Sequence, residues 1–179
     1  MSRRILVAGI GNVFLGDDGF GVEVVRRLAD RPQPDGVQVV DFGIRGMDLV
    51  YALMGDHDAV IFVDTTSRDG SPGTLYLIEP HVQETGEVTL DTHGMDPARV
   101  LGLARALGAK PVQTFVVACE PARLLGSDDD PDVLMELTQP VRSAMDDAVT
   151  MVESLIEQIN GEDRARALQA QLEFHQERR

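Results

Sequence analysis

The chain has 179 residues, 43% of them hydrophobic, which suits one domain with a sizeable core and is short for two. Its net charge of −14 comes from 16 basic and 30 acidic residues, and a field of that sign repels phosphate backbones and anionic lipids. Nucleic acid and membrane surfaces are therefore excluded as expected partners. The single cysteine, Cys119, excludes an internal disulfide and a cysteine-based zinc site.

The start of the chain favours a cytoplasmic protein. Arg3 and Arg4 precede an apolar run, as in a signal peptide, but the run breaks at Gly9 and no small-residue cleavage pattern follows. Elsewhere no apolar run approaches the ~20 residues of a membrane span. We therefore expect neither a cleaved leader nor a membrane anchor.

Strands and helices alternate along the first half of the chain. Apolar runs predict three strands, at 4–8, 37–41 and 58–64. Helices are predicted between and after them, at 18–30 and 47–54. The third strand is apolar almost throughout, which indicates burial on both of its faces and a parallel sheet.

The second half continues the alternation. A strand is predicted at 74–78, a helix begins at Pro97 after the cap Asp96 and ends at Gly108, and a fifth strand covers 112–118. An amphipathic helix starts near Thr138 and runs to about Ile159. The pattern predicts a single α/β domain over 1–160, with three layers and a mainly parallel sheet, followed by a charged tail at 161–179 that is a frayed helix or disordered.

A glycine-rich turn follows the first strand, with the sequence GIGNVFLGDDGFG at residues 9–21. Such strand-to-helix turns bind phosphates in nucleotide-binding proteins. Here Phe14 stands where the third glycine of that fingerprint is needed, and Asp17 and Asp18 place two negative charges at the helix start. The turn also lacks a P-loop lysine, so a nucleotide site remains only as an alternative hypothesis. No G-x-S-x-G elbow indicates a serine hydrolase.

Further acidic residues stand where other strands end. Asp41 ends the second strand, Asp64 ends the third, and His93 lies in the loop before the helix at Pro97. Ligands of open α/β sheets bind beyond the carboxyl ends of the strands, so two of the carboxylates at these ends (Asp17 or Asp18, Asp41, Asp64) and the imidazole of His93 can form an O,O,N site for a divalent transition metal.

Each member of this set also has a structural alternative. Asp17 or Asp18 can cap the helix, Asp41 and Asp64 can be turn residues, and His93 can be a solvated loop side chain. Cys119, at the end of an apolar run, reads as a buried thiol rather than a nucleophile.

These motifs resemble those of the endopeptidases that mature the large subunit of [NiFe] hydrogenases. The resemblance covers residues 4–158 and rests on motifs that occur in the same order and spacing. They are the glycine-rich turn with Asp18, the Asp41-Phe42-Gly43 segment followed by Gly46-Met47, the strand ending in Asp64, the segment Thr92-His93-Gly94-Met95, and Cys119-Glu120-Pro121.

The resemblance implies a fold, a site and an activity. The fold is a phosphorylase/hydrolase-like α/β/α sandwich with a five-stranded twisted sheet. Nickel would be bound by Asp18, Asp64 and His93, with glutamate often standing at the first position in the family. The activity is a single cleavage near the C-terminus of the large-subunit precursor after nickel insertion. The nickel belongs to the precursor and serves chiefly as a recognition element.

Several points stay open at the level of sequence. The same three residues also suit a non-catalytic metal-binding accessory protein that assists metalloenzyme assembly. If the chain is an aspartic-type endopeptidase, either the metal polarises the carbonyl or an aspartate such as Asp41 activates water. We expect a monomer, because no long exposed apolar stripe demands a dimer.

Overall fold

The computed structural model describes residues 3–80, 96–122 and 135–176, with side chains described as far as residue 161. This part of the chain contains five strands and five α-helices. The strands are β1 Ile5–Ile10, β2 Val37–Gly43, β3 Ala59–Thr65, β4 Leu75–Ile78 and β5 Gln113–Cys119. The helices are α1 Phe20–Ala29, α2 Gly46–Leu53, α3 Pro97–Ala106, α4 Gln139–Ser143 and α5 Met145–Gln176.

The strands form one sheet in the order β2-β1-β3-β5-β4. All neighbouring pairs are parallel except β4 and β5, which are antiparallel. Ile5 of β1 is level with Val37 of β2 and with Ala59 of β3, so these strands begin together and also end together. The carboxyl ends of β1, β2 and β3 therefore share one edge of the sheet, and the predicted mainly parallel five-stranded sheet is confirmed.

Two apolar cores lie on the two faces of the sheet. Alternate residues of β3 belong to different cores, with Ile61 and Val63 on one face and Val60 and Phe62 on the other. The first core also contains side chains of α1, α4 and α5, whereas the second contains side chains of α2 and α3. The sheet thus separates two helical layers, as the sequence predicts for a three-layer α/β/α fold.

Most element boundaries lie within about two residues of the predicted ones, and two helices differ from the predictions in a further way. The helix expected from Asp18 begins instead with a 3₁₀ turn at Asp17–Gly19, and α1 follows from Phe20. The helix expected from Thr138 is divided at Ala144 into α4 and α5, and α5 then continues past the predicted domain end to Gln176. Among the residues that the structure describes, no helix is both long enough and apolar enough to cross a lipid bilayer.

Candidate functional site

The glycines of the turn after β1 allow close packing of backbone against backbone. A Cβ atom on Gly21 would lie 2.1 Å from the Val63 carbonyl oxygen and 2.4 Å from that of Ile10. A Cβ atom on Gly11, whose φ is 130°, would lie 1.8 Å from the Asp18 carbonyl oxygen. Glycine is thus required because α1 begins directly against β1 and β3, and this need explains the motif without a phosphate ligand.

Asp17 is completely buried and accepts hydrogen bonds from two distant segments. Its Oδ1 accepts from the Thr138 backbone N–H at 2.7 Å, and its Oδ2 accepts from the Ala122 N–H at 2.9 Å and the Thr138 hydroxyl at 3.0 Å. The carboxylate therefore connects the start of α1 to the end of β5 and to the start of α4. This tertiary role was not predicted from the sequence.

Asp18, the next residue, faces a different environment. Its Oδ2 accepts a hydrogen bond from the Asn12 N–H at 2.8 Å across the turn. Burial raises the pKa of the Asp18 carboxyl, and the Asn12 hydrogen bond only partly opposes this. Gly16 and Gly19 occupy the N-cap positions of the 3₁₀ turn and of α1, so neither Asp17 nor Asp18 is the N-cap residue of these helices.

Asp64 is the last residue but one of β3 and lies on the face that carries α2 and α3, because it follows Phe62 by two residues. Its Oδ1 accepts from the Thr65 backbone N–H at 2.8 Å. Burial raises its pKa well above the ordinary value of 3.8, and the negative charges of Asp18 and Asp96 raise it further. Asp18 and Asp64 are thus close enough to repel each other.

Both carboxylates line an open pocket of about 570 Å³ at the carboxyl edge of the sheet. Its walls come from the loops after β1, β2 and β3, from β4 and β5, and from the first residues of α3. The lining residues are Ile10, Gly11, Asn12, Leu15, Asp18, Gly43, Ile44, Asp64, Thr65, Thr66, Ile78, Pro80, Asp96, Pro97, Ala98 and Val116. The structure therefore brings two of the predicted site residues, Asp18 and Asp64, into one cavity.

Asp41 points away from this pocket. It lies one position from Val40 on β2, so its side chain shares a face with Val39 and α1. There its Oδ2 lies 3.2 Å from Nη2 and 3.3 Å from Nε of Arg26, in a partly exposed ion pair. Asp41 is absent from the lining of the pocket, and its proposed catalytic role stays a prediction.

Asp96 adds a third carboxylate to the pocket. The sequence predicts only its capping role, which is confirmed: its Oδ1 accepts from the Ala98 N–H at 2.9 Å. Its place in the pocket was not predicted. It follows because α3 packs on the same face of the sheet as Asp64 and begins at the carboxyl edge of the sheet. Within residues 3–80, 96–122 and 135–176, no group of three or more histidine, cysteine or acidic side chains could hold a metal ion. His93 lies outside the described residues.

Glu120, which the sequence analysis names only as part of a motif, organises the loop beside the pocket. Its carboxylate accepts from the Arg68 backbone N–H at 2.9 and 3.1 Å and from the Tyr76 hydroxyl at 2.8 Å. Burial acts to raise the pKa of Glu120, but these hydrogen bonds outweigh it and hold the pKa below its usual range. The sequence indicates this role only through the position of Glu120 directly after β5, beside the loop after β3, whose Arg68 N–H needs a hydrogen-bond acceptor.

Cys119 is buried at the end of β5, as expected for a core thiol. Burial is the main cause that raises its pKa to about 12, and the charges of Asp17 and Glu120 raise it further. A thiol with that pKa is almost entirely protonated at neutral pH, so it is a poor nucleophile. The prediction that Cys119 is a buried thiol is confirmed.

Known proteins of similar sequence are associated with hydrogenases. The family model described as "HycI: Hydrogenase maturation protease" matches residues 22–155. A putative hydrogenase maturation protease from Methanocaldococcus jannaschii is 31% identical over 152 residues, which cover 84% of this chain and 94% of the relative. The hydrogenase expression/formation protein HupM of Azotobacter chroococcum is 33% identical over 155 residues, covering 84% and 70%.

Solved structures agree with the sequence matches. The hydrogenase maturating endopeptidase HybD from E. coli has a TM-score of 0.67 and 29% identity, covering 87% of this chain and 93% of its own. The hydrogenase 2 maturation peptidase from a Thaumarchaeota archaeon has a TM-score of 0.63 and 32% identity, covering 86% and 98%. Sequence and fold thus point to the same group of proteins.

Proposed function

The chain belongs to the hydrogenase maturation protease family, and from this premise we propose that it makes one cut near the C-terminus of a [NiFe] hydrogenase large-subunit precursor that already carries nickel. The family processes the hydrogenase large subunit, so the chain is a peptidase with a protein substrate. The finer steps of the proposal are nickel recognition and the use of aspartates.

One observation carries the nickel step: Asp18 and Asp64 share one pocket and have raised pKa values. Burial disfavours the charged form of both carboxyls, and the charge of Asp18 further disfavours that of Asp64, so a cation bound by them would relieve an existing electrostatic cost. With His93 they would supply two oxygens and one nitrogen, a donor set that nickel accepts. The chain would thus recognise its substrate by binding the nickel that the precursor carries.

Peptide hydrolysis itself needs a base and an acid. A base removes a proton from water as the water adds to the scissile carbonyl carbon, and an acid protonates the amine that leaves when the C–N bond breaks. A carboxyl whose pKa lies above its ordinary range suits these roles near neutral pH. The lining of the pocket favours Asp18 and Asp64 over Asp41, which pairs with Arg26 on the other face.

Incubation with nickel-loaded and nickel-free precursor, followed by mass spectrometry, tests this function. We expect one C-terminal fragment from the loaded precursor and none from the nickel-free one. Asp64→Asn and His93→Ala should abolish the fragment, whereas Asp35→Asn, in an exposed turn, should not. Equal cleavage without nickel would contradict nickel recognition. Measurable binding of loaded precursor with no product would favour a non-catalytic accessory protein.

A further inference from the structure

Helix α2 presents a row of large apolar side chains to solvent. Ile44 before the helix, Met47 and Tyr51 within it, and Met54 after it are 69%, 49%, 64% and 45% exposed. Met47 and Tyr51 are four residues apart and lie along one side of the helix, and Ile44 and Met54 flank them at steps of three residues. We call these four residues the α2 stripe.

The opposite side of α2 is apolar as well. Leu49, Val50 and Leu53 are buried in the core between α2, α3 and the sheet. An ordinary surface helix has one apolar side and one polar side. Helix α2 instead has a second apolar side, which is not buried within the described part of the chain. Contiguous exposed apolar side chains of this kind mark surfaces that contact another protein.

The α2 stripe starts at the wall of the pocket. Ile44 and its neighbour Gly43 line the cavity that holds Asp18 and Asp64. The Gly11 N–H donates to the Gly43 carbonyl at 3.1 Å, which fixes this loop beside the turn after β1. On that turn Leu15 also lines the pocket, and its neighbour Phe14 is 54% exposed. An apolar surface therefore continues from the pocket outward.

We infer that the α2 stripe docks the apolar side chains of the precursor segment that adjoins the cleaved bond. This inference rests on the proposed function, because a protein substrate whose scissile bond lies in the pocket must cross the adjoining rim. A pocket of about 570 Å³ is of the size that holds a small ligand, so most contacts with a protein must form outside it.

The charge around the stripe supports the same occupant. The chain carries a net charge of −14, and the pocket holds three carboxylates. Along the stripe, by contrast, the exposed Asp48 lies 3.9 Å from Arg45, so their charges largely offset each other. An apolar segment can therefore lie on the stripe without losing hydration of an unpaired charge, while the precursor's nickel faces the acidic pocket.

Steady-state cleavage of nickel-loaded precursor by the double variant Met47→Ser/Tyr51→Ser tests the inference. We expect KM to rise about tenfold or more with kcat within about twofold, because the lost substrate contacts lie outside the pocket that holds the reacting bond. Tyr51→Phe should retain the wild-type KM. Leu107→Ser is the matched control, since Leu107 is 47% exposed and follows the far end of α3.

The outcomes separate this inference from the proposed function. A wild-type chain that leaves the precursor uncut would contradict the function itself. If the wild-type chain cuts and the double variant behaves like Leu107→Ser, the docking inference is wrong and the function stands. Sedimentation velocity adds a further outcome: a wild-type dimer that the double variant disrupts at unchanged KM would assign the stripe to a second copy of the chain.

Discussion

Asp17 and Asp18 are adjacent carboxylates with opposite surroundings. Asp17 is completely buried and accepts three hydrogen bonds from Ala122 and Thr138. Asp18 is partly buried, accepts from the Asn12 N–H and has a raised pKa. The carboxylate with more hydrogen-bond donors, Asp17, connects distant segments of the fold, whereas the one with fewer, Asp18, lines the candidate site.

The same contrast recurs further along the edge of the sheet. Glu120 accepts hydrogen bonds from Arg68 and Tyr76 that hold its pKa below the usual range, whereas Asp64 accepts from the Thr65 N–H and has a pKa well above it. Well-hydrogen-bonded carboxylates stabilise the fold. Buried carboxylates with few hydrogen-bond donors destabilise the fold, because nothing replaces the water that their charge has lost. Such residues are commonly retained at sites that bind a ligand or catalyse a reaction.

Removal of the Asp17 carboxylate should have the largest effect on stability. In Asp17→Ala the N–H groups of Ala122 and Thr138 and the Thr138 hydroxyl lose a charged acceptor, and a hydrogen bond to a charged group contributes about 1.5–3 kcal/mol. We expect the free energy of unfolding to fall by about 3 kcal/mol or more, as measured by urea denaturation. Asp35→Ala in an exposed turn is the control; a similar small change in both variants would contradict the structural role of Asp17.

The matching change at Asp18 should affect activity and spare the fold. Asp18→Asn keeps the shape of the side chain but removes the charge, so we expect cleavage of nickel-loaded precursor to fall about 100-fold or more. The melting temperature should stay the same or rise, because burial disfavours the charged form. A variant that unfolds easily yet, where folded, cuts at the wild-type rate would reverse the assignments of Asp17 and Asp18.

The backbone architecture was predictable because it follows from local pattern. Apolar runs separated by amphipathic segments specify strands and crossover helices, and the order of elements leaves few topologies. The division of the last helix at Ala144 was not predictable in this way. Met145, Ala148 and Val149 keep the apolar spacing across the division, so the period of the sequence contains no signal for it.

The candidate site was predictable only in part. The placement of Asp18 and Asp64 at one edge follows from strand order, and their common face follows from the two-residue period of a strand. The same period places Asp41 and Asp64 on opposite faces of the sheet, but this can be deduced only when the strand register and the helices on each face are known. The partners of Asp17 lie 105 and 121 residues away, so no local pattern indicates them.

The pH dependence of stability distinguishes Asp64 from Glu120. Because the folded pKa of Asp64 is raised above 3.8, folding takes up protons, and stability is lost as pH rises through the interval between the unfolded and folded values. Asp64→Asn removes this loss, so it should raise the free energy of unfolding at neutral pH, where each kcal/mol raises the melting temperature by about 2–4 °C. A variant less stable than wild type at neutral pH would show that the Asp64 charge is compensated.

Glu120→Gln should change stability in the opposite direction. The folded pKa of Glu120 lies below 4.5, so its contribution is present above that pH and is lost as pH falls through the folded pKa. We expect the variant to be less stable than wild type at neutral pH and to approach it in acid, as measured by urea denaturation across that range. A difference that is independent of pH would indicate a packing defect in place of a lost charge.

Chemical labelling of Cys119 should show the smallest effect. It tests the difference between Asp17 and Asp18 through the accessibility of a buried thiol. Its pKa of about 12 and its burial predict that iodoacetamide modifies it only in molecules that open. Labelling should therefore be slow for wild type and Asp18→Asn, and faster for Asp17→Ala by about tenfold for each 1.4 kcal/mol of stability that this variant loses, as followed by mass spectrometry. Rapid labelling of the folded wild-type chain would contradict a closed β5 end, and with it the connection that Asp17 makes to Ala122 and Thr138.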